Sequence, residues 1–150
     1  MNTYVNLIGG KNMTTYGIGY KYNGRKDVSK DFLDNDIACM NHDPEKFPYF
    51  VGLFKEIKDK DIIVLKTSPM SERKLKIRAI GRVSKSKFER KGNLGYGISV
   101  DWIGYDDNGI EEINTYSDGG WHQRCMAIYK EYNPEIIKQI DKLIQKYEKE

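Results

Sequence analysis

The chain has 150 residues, a length that predicts one domain over 1–150. Its hydrophobic content is 39%, and no run of 18 apolar residues occurs, which argues against a membrane-spanning helix and a membrane partner. The N-terminus lacks the charged and then apolar segments of a secretory signal. Two cysteines, Cys39 and Cys125, are too few for a disulfide scaffold and suit a reducing compartment. We therefore expect a cytoplasmic protein.

The formal net charge is +3, but the charge is unevenly distributed. Residues 55–91 contain thirteen Lys and Arg against five Asp and Glu, a balance of +8, so the remainder carries −5. Residues 101–118 contain six acidic residues and no basic one. This asymmetry favours an anionic ligand over one region, and its competing interpretation is a solvated surface with chance clustering.

Periodicity and turn signals predict short strands alternating with small helices. The predicted strands cover 15–22, 37–40, 62–65, 74–83, 96–103 and 110–116. The predicted helices cover 27–34, 49–57 and 134 to the C-terminus, where Asn133-Pro134 provides a cap followed by proline at the first helical position. The Asn23-Gly24 pair predicts a turn, and loops are expected after Val83 and over 117–123. This order predicts an α+β domain with a small mixed, barrel-like sheet, two or three short helices and a C-terminal amphipathic helix.

Two central strands carry the clearest patterns. The run Ile62–Leu65 is wholly apolar, which is typical of a strand buried on both faces. The next strand, over 74–83, alternates with period two. Its apolar positions are Leu75, Ile77, Ala79 and Val83, and its cations are Lys74, Lys76, Arg78 and Arg82. The four cations are therefore predicted to share one face, either as a phosphate-binding row or as the solvated side of an antiparallel sheet.

Four segments carry a family resemblance: YGIGY at 16–20, IACM at 37–40, IKDKDIIVLKTS at 57–68 and LKIRAIGRV at 75–83. Their order resembles a PUA-like domain, and is most similar to the EVE and ASCH branches of that superfamily. In those branches an I-x-x-G-D turn precedes one strand and A-I-G-x-V closes the next; here Lys60 replaces the glycine. The resemblance implies a small β-barrel with an open mouth that accepts a nucleobase, including a modified base, or a stretch of nucleic acid.

The residues expected at such a mouth are aromatic walls and polar groups at strand ends. Trp121 lies in a glycine-containing loop next to Arg124, and Lys66 follows the apolar run directly. Aromatic side chains suit a flipped or single-stranded base, because stacking contributes ~1–3 kcal/mol per base. The predicted ligand-binding residues are Tyr16, Tyr20, Lys66, Thr67, Ser68, Arg78, Arg82, Trp102, Trp121 and Arg124. Trp102 could instead be a core residue, and Lys66 could instead be a solvated cation at the rim; these are the competing interpretations.

The cysteines and histidines form two pairs at equal spacing, Cys39-x-x-His42 and His122-x-x-Cys125. Two thiolates and two imidazoles can satisfy tetrahedral zinc. The commoner Cys-x-x-Cys arrangement is absent, so two ordinary cysteines with incidental histidines are the favoured interpretation, with no metal and no cofactor.

No glycine-rich phosphate loop, G-x-S-x-G elbow or metalloprotease helix occurs in the sequence. We therefore expect a non-catalytic domain that binds nucleic acid or a nucleotide-like ligand, alone or as a homo-oligomer. One alternative is a small phage or bacterial interaction protein that blocks a partner or sequesters a nucleotide signal in defence. Another is an ASCH-like hydrolase, for which Lys66 is the candidate residue.

Overall fold

The computed structural model describes residues 6–8, 11–69, 71–115 and 120–149. Among these residues the strands are β1 (Asn6–Ile8), β2 (Lys11–Met13), β3 (Thr15–Gly19), β4 (Lys21–Tyr22), β5 (Lys26–Asp27), β6 (Ile37–Met40), β7 (Ile62–Thr67), β8 (Lys74–Arg90), β9 (Tyr96–Tyr105), β10 (Glu111–Asn114) and β11 (Ile128–Lys130). The helices are α1 (Ser29–Asn35), α2 (Pro48–Glu56), α3 (Trp121–Arg124) and α4 (Pro134–Glu148). The α+β class is confirmed. None of the described helices is both long and apolar enough to cross a membrane.

The main sheet is mixed, as the sequence predicts. Its strands follow the order β11-β3-β7-β8-β9-β6, and β10 pairs with β8 outside this path. Strands β3 and β7 are parallel, whereas the other neighbours in the sheet are antiparallel. Because β3 and β7 are parallel, their C-terminal ends lie together at one edge of the sheet.

The sheet separates two hydrophobic cores. One contains side chains from α1, α2 and β6, and the other contains the apolar face of α4. Ile63 and Leu65 face the first core, while Ile62 and Val64 face the second. The prediction that this strand is buried on both faces is therefore confirmed.

Helix α4 begins where its cap predicts. The side-chain oxygen of Asn133 accepts hydrogen bonds from the backbone N–H groups of Glu135 and Ile136, at 2.9 and 3.2 Å. Pro134 occupies the first helical position, where no intrahelical N–H bond is needed.

Strand β8 differs from its prediction in two ways. It continues to Arg90, where the sequence predicts a loop after Val83, because pairing with β9 satisfies the backbone of this polar segment. It also contains an irregularity, at which Leu65 pairs with Ala79 but the next residue, Lys66, pairs with Ile77. The extra residue reverses the side-chain alternation. Leu75 and Ile77 consequently face the α4 core, and Ala79 and Val83 face the other core, so the prediction of one shared face is wrong.

The sheet also curls. Strand β6, at one end of the strand order, lies against β3 near the other end. Within the described strands no hydrogen-bonded pairing joins β6 to β3, so the sheet does not close into a barrel.

Gly17 in β3 faces Tyr129 in the neighbouring strand β11. A Cβ atom at this position would lie 2.2 Å from Cε1 of the buried Tyr129 ring. We expect Gly17→Ala to lower the free energy of unfolding by ~1–3 kcal/mol, because overpacking a filled core displaces side chains. Denaturant unfolding measures the change.

The matched control is Gly52→Ala in the exposed face of α2, where a Cβ would meet open space. This replacement should stabilise the helix by up to ~1 kcal/mol. Equal unfolding midpoints for the two variants would show that Tyr129 moves aside at no cost.

Candidate functional site

A cavity of about 790 Å³ lies where β3 and β7 end and where the chain enters β11. Three segments form this part of its wall: 19–24, 66–69 and 125–127. The opposite wall is formed by residues that follow β6, from Asn41 to Phe47. The curl of the sheet brings these two walls together, because it places β6 against β3.

Lys66 is the most unusual residue of the cavity wall. The competing interpretation of Lys66 as a solvated rim cation is wrong, because only 3% of the residue is exposed. Its Nζ donates hydrogen bonds to the carbonyl oxygens of Arg124, at 2.7 Å, and Met126, at 2.5 Å. Burial lowers the pKa of Lys66 to about 7, although the nearby Cys125 opposes this shift.

The amine of Lys66 has hydrogen-bonding capacity beyond these two contacts. An ammonium group has three N–H donors, and the two carbonyls use two of them. Within the described part of the chain, no carboxylate lies within 4.0 Å of this nitrogen. A ligand oxygen in the cavity could therefore accept the third hydrogen bond.

Two tyrosines form a fixed wall. The guanidinium group of Arg78 lies 4.6 Å from the ring centroid of Tyr20, and it also pairs with Asp27 at 3.2 Å. The hydroxyl of Tyr22 donates to the carbonyl oxygen of Leu94 at 2.5 Å. Both contacts hold aromatic rings at the cavity in one orientation.

The opposite wall is an aromatic group around His42. Its ring packs edge-on against Phe47, with 4.5 Å between centroids, and against Phe50, at 5.2 Å. Phe47 and Phe50 stack in nearly parallel planes. Burial lowers the pKa of His42, which favours a neutral imidazole with one donor and one acceptor nitrogen.

Two buried polar atoms of cavity-lining residues lack a partner among the residues that the structure describes. They are Nδ1 of His42 and the hydroxyl oxygen of Ser68. Burying a polar group without a hydrogen bond costs ~1–3 kcal/mol. Both atoms are enclosed within the cavity walls, so these walls contain polar groups without a partner among the described residues.

Of the predicted ligand-binding residues, Tyr20, Lys66, Thr67 and Ser68 line this one cavity. Tyr16 instead belongs to the core. Trp102 packs against the same core and donates from Nε1 to the carbonyl oxygen of Phe32 at 3.1 Å, away from the cavity. The competing interpretation of Trp102 as structural is thus favoured. Trp121 begins α3, but its side chain lies outside the described residues.

The predicted arginines have different neighbours. Arg78 lies next to the cavity through Tyr20. Arg82 points to the α4 side of the sheet and pairs with Glu148 at 2.8 Å. Arg124 forms a buried, bidentate ion pair with Glu131. It contributes its carbonyl group, and not its guanidinium group, to the surroundings of Lys66.

The four cations between Lys74 and Arg82 do not form a free phosphate-binding row. Each pairs with a carboxylate: Lys74 with Glu112, Lys76 with Glu72, Arg78 with Asp27 and Arg82 with Glu148. Since the irregularity at Arg78 reverses the alternation, Arg82 also lies on the opposite side of the sheet from Arg78.

The two Cys and two His residues, whose spacing allows a zinc site, do not come together. Cys39 is buried, and burial raises the pKa of its thiol to about 12. Cys125 and His122 are exposed. Over residues 6–8, 11–69, 71–115 and 120–149, no group of three or more His, Cys, Asp or Glu side chains could hold a metal ion.

Sequence reasoning missed the wall that follows β6. Asn41, His42 and Asp43 line the cavity. In the sequence, however, this segment only indicates that the preceding strand ends before Pro44. Its only signal is the proximity of His42 to two phenylalanines in sequence, Phe47 and Phe50.

No protein-family model matches the sequence, and no curated protein matches it at a significant level.

Proposed function

We propose that this protein is a non-catalytic binding domain whose cavity accepts a nucleobase, including a modified base, of nucleic acid or of a nucleotide-like ligand. One observation carries the proposal: Tyr20, Lys66, Thr67 and Ser68, selected from sequence as ligand-binding residues, all line one cavity. Its volume of about 790 Å³ lies within the range of small-molecule sites.

The chemistry of the walls supports this ligand class. A planar heteroaromatic base favours aromatic surfaces, and the partly exposed Tyr22 and the exposed Phe47 provide them next to the buried Tyr20. The edge of a base carries donors and acceptors, which complement the polar residues Asn41, His42 and Thr67 that line the cavity. Below about pH 7, where Lys66 is protonated, its remaining N–H suits a phosphate or a carbonyl oxygen.

A PUA-like barrel with one open side is part of this proposal. The curl that places β6 against β3 supports it, and so does the location of the cavity between these strands. We expect the open side to admit the base.

The proposal is tested first by thermal shift with nucleoside monophosphates, cyclic dinucleotides and short oligonucleotides with unmodified and modified bases, because a ligand of the native state raises the melting temperature. Phe47→Ala should then weaken binding of the best probe by ~1–3 kcal/mol, the contribution of one stacked base. Calorimetric titration measures this loss. Since 39% of Phe47 is already exposed, the melting temperature should change little.

The matched control is Tyr49→Ala. Tyr49 lies two residues further along the chain in α2 and is 59% exposed, but it does not line the cavity, so the variant should bind as the original protein does. Equal affinities of the two variants would show that Phe47 does not contribute to ligand binding. Failure of every probe would reject the nucleobase proposal and favour the alternative in which the chain blocks a partner protein.

A further inference from the structure

The distal half of β8, from Ser84 to Arg90, carries cations that the acidic residues do not neutralise. Lys85, Lys87 and Arg90 are exposed there. Lys87 pairs weakly with Glu89, at 3.9 Å, and Glu89 also contacts Lys91, at 3.3 Å. Lys85 and Arg90 have no ion pair within 4.0 Å among the described residues.

A second basic segment, the turn Lys58–Lys60, is hydrogen-bonded to this part of β8. The backbone N–H of Lys60 donates to the carbonyl oxygen of Val83 at 2.8 Å. The carboxylate of Asp59 accepts a hydrogen bond from the backbone N–H of Ser86 at 2.9 Å. The side chains of Lys58 and Lys60 are exposed, and the described carboxylates form no ion pair with them. We call Lys58, Lys60, Lys85, Lys87 and Arg90 the distal basic surface.

The pair of strands β8 and β9 connects the distal basic surface to the cavity. The connection between β8 and β9 contains Leu94, whose carbonyl oxygen accepts the hydrogen bond from the cavity residue Tyr22. Lys85 and Arg90 are five residues apart on β8, but their partners on β9, Ser99 and Tyr96, are only three residues apart, because the register shifts between them. The two cations are therefore closer together than on a regular extended strand.

We infer that the distal basic surface binds the sugar-phosphate backbone of a nucleic acid strand whose base occupies the cavity. This inference rests on the proposed function and narrows it, because the ligand is then a nucleic acid and not a free nucleotide. The cations act by neutralising phosphates and releasing counterions, which requires no base sequence. Sequence-independent affinity thus belongs to this surface and base selection to the cavity.

The test replaces Lys60, Lys85 and Arg90 together by Gln. Binding of a short labelled single-stranded oligonucleotide is measured between about 50 and 200 mM salt, next to binding of nucleoside 5′-monophosphates. We expect oligonucleotide affinity to fall at least tenfold at the lower salt concentration. The slope of log affinity against log salt should become shallower by about 2, or ~0.7 for each lost phosphate contact. Monophosphate affinity should stay unchanged.

The control carries the same charge change elsewhere, with the exposed Lys30, Lys142 and Lys149 replaced by Gln. It should retain both the affinity and the slope. If the control variant lost as much oligonucleotide affinity, the effect would come from net charge alone, and the inference would be overturned. Monophosphate binding without tighter oligonucleotide binding by the original protein would also overturn it, while leaving the proposed function intact. If neither the oligonucleotide nor the monophosphates bound, both this inference and the proposed function would be wrong.

Discussion

Replacing Glu131 by Gln is expected to lower the free energy of unfolding by about 3–5 kcal/mol, because it leaves a buried guanidinium group without its counter-charge. Arg124 and Glu131 are only 2% and 4% exposed. Their two contacts measure 2.9 Å from Nε to Oε1 and 2.6 Å from Nη2 to Oε2. Oε2 also accepts the backbone N–H of Asn133, just before α4. Chemical denaturation of both proteins at neutral pH measures the change.

A second ion pair in the chain provides the matched control. Glu56 pairs with Lys130 at 3.6 Å on the surface, with the Glu56 side chain more than half exposed. Glu56→Gln should cost less than ~1 kcal/mol, since water and salt screen an exposed pair. If Glu131→Gln unfolded at the same denaturant concentration as Glu56→Gln, the buried pair would have no special role in stability.

The buried pair also bears on the candidate site. The carbonyl oxygen of Arg124 accepts one of the two hydrogen bonds of Lys66. A variant that displaces Arg124 therefore disturbs the cavity wall as well as the stability of the domain. For this reason the stability of every Glu131 variant has to be measured before its ligand affinity is interpreted.

Local signals in the sequence predicted the elements whose structure depends on neighbouring residues. The apolar run Ile62–Leu65 lies between two cores, and the Asn133-Pro134 cap starts α4. The Asn23-Gly24 turn joins β4 to β5, and both turn residues have positive φ, which this dipeptide adopts readily. Each of these features is determined within a few residues of chain.

Features that depend on distant partners could not be predicted in this way. The acceptors of Lys66 belong to residues 58 and 60 positions later in the chain, so nothing near Lys66 indicates that its amine is buried. The irregularity at Arg78 depends on the register between β7 and β8, and one extra residue there redistributes four cations over two faces. His42 joins the cavity only because the sheet curls until β6 meets β3.

The buried amine of Lys66 is expected to make stability depend on pH above neutrality. Its pKa is lowered from 10.5 to about 7 in the folded protein by burial. Between these two values the unfolded chain binds a proton that the folded protein has released, so the free energy of unfolding rises with pH. Each unit of the shift corresponds to 1.36 kcal/mol, so the full rise is on the order of 5 kcal/mol. Denaturant unfolding at a series of pH values from about 6 to 10 measures it.

Lys66→Met isolates this contribution. The variant loses the titrating amine, so the difference in unfolding free energy between the original protein and the variant should increase with pH above about 7 and stay level below it. Groups that titrate in this range without interacting with Lys66 affect both proteins equally and cancel in the difference. Lys21→Met provides the matched control, because Lys21 lines the same cavity but is exposed, and its removal should leave the pH dependence unchanged. A constant difference for Lys66→Met across the whole range would show that this amine keeps its proton in the fold, in which case the cavity holds a permanent cation.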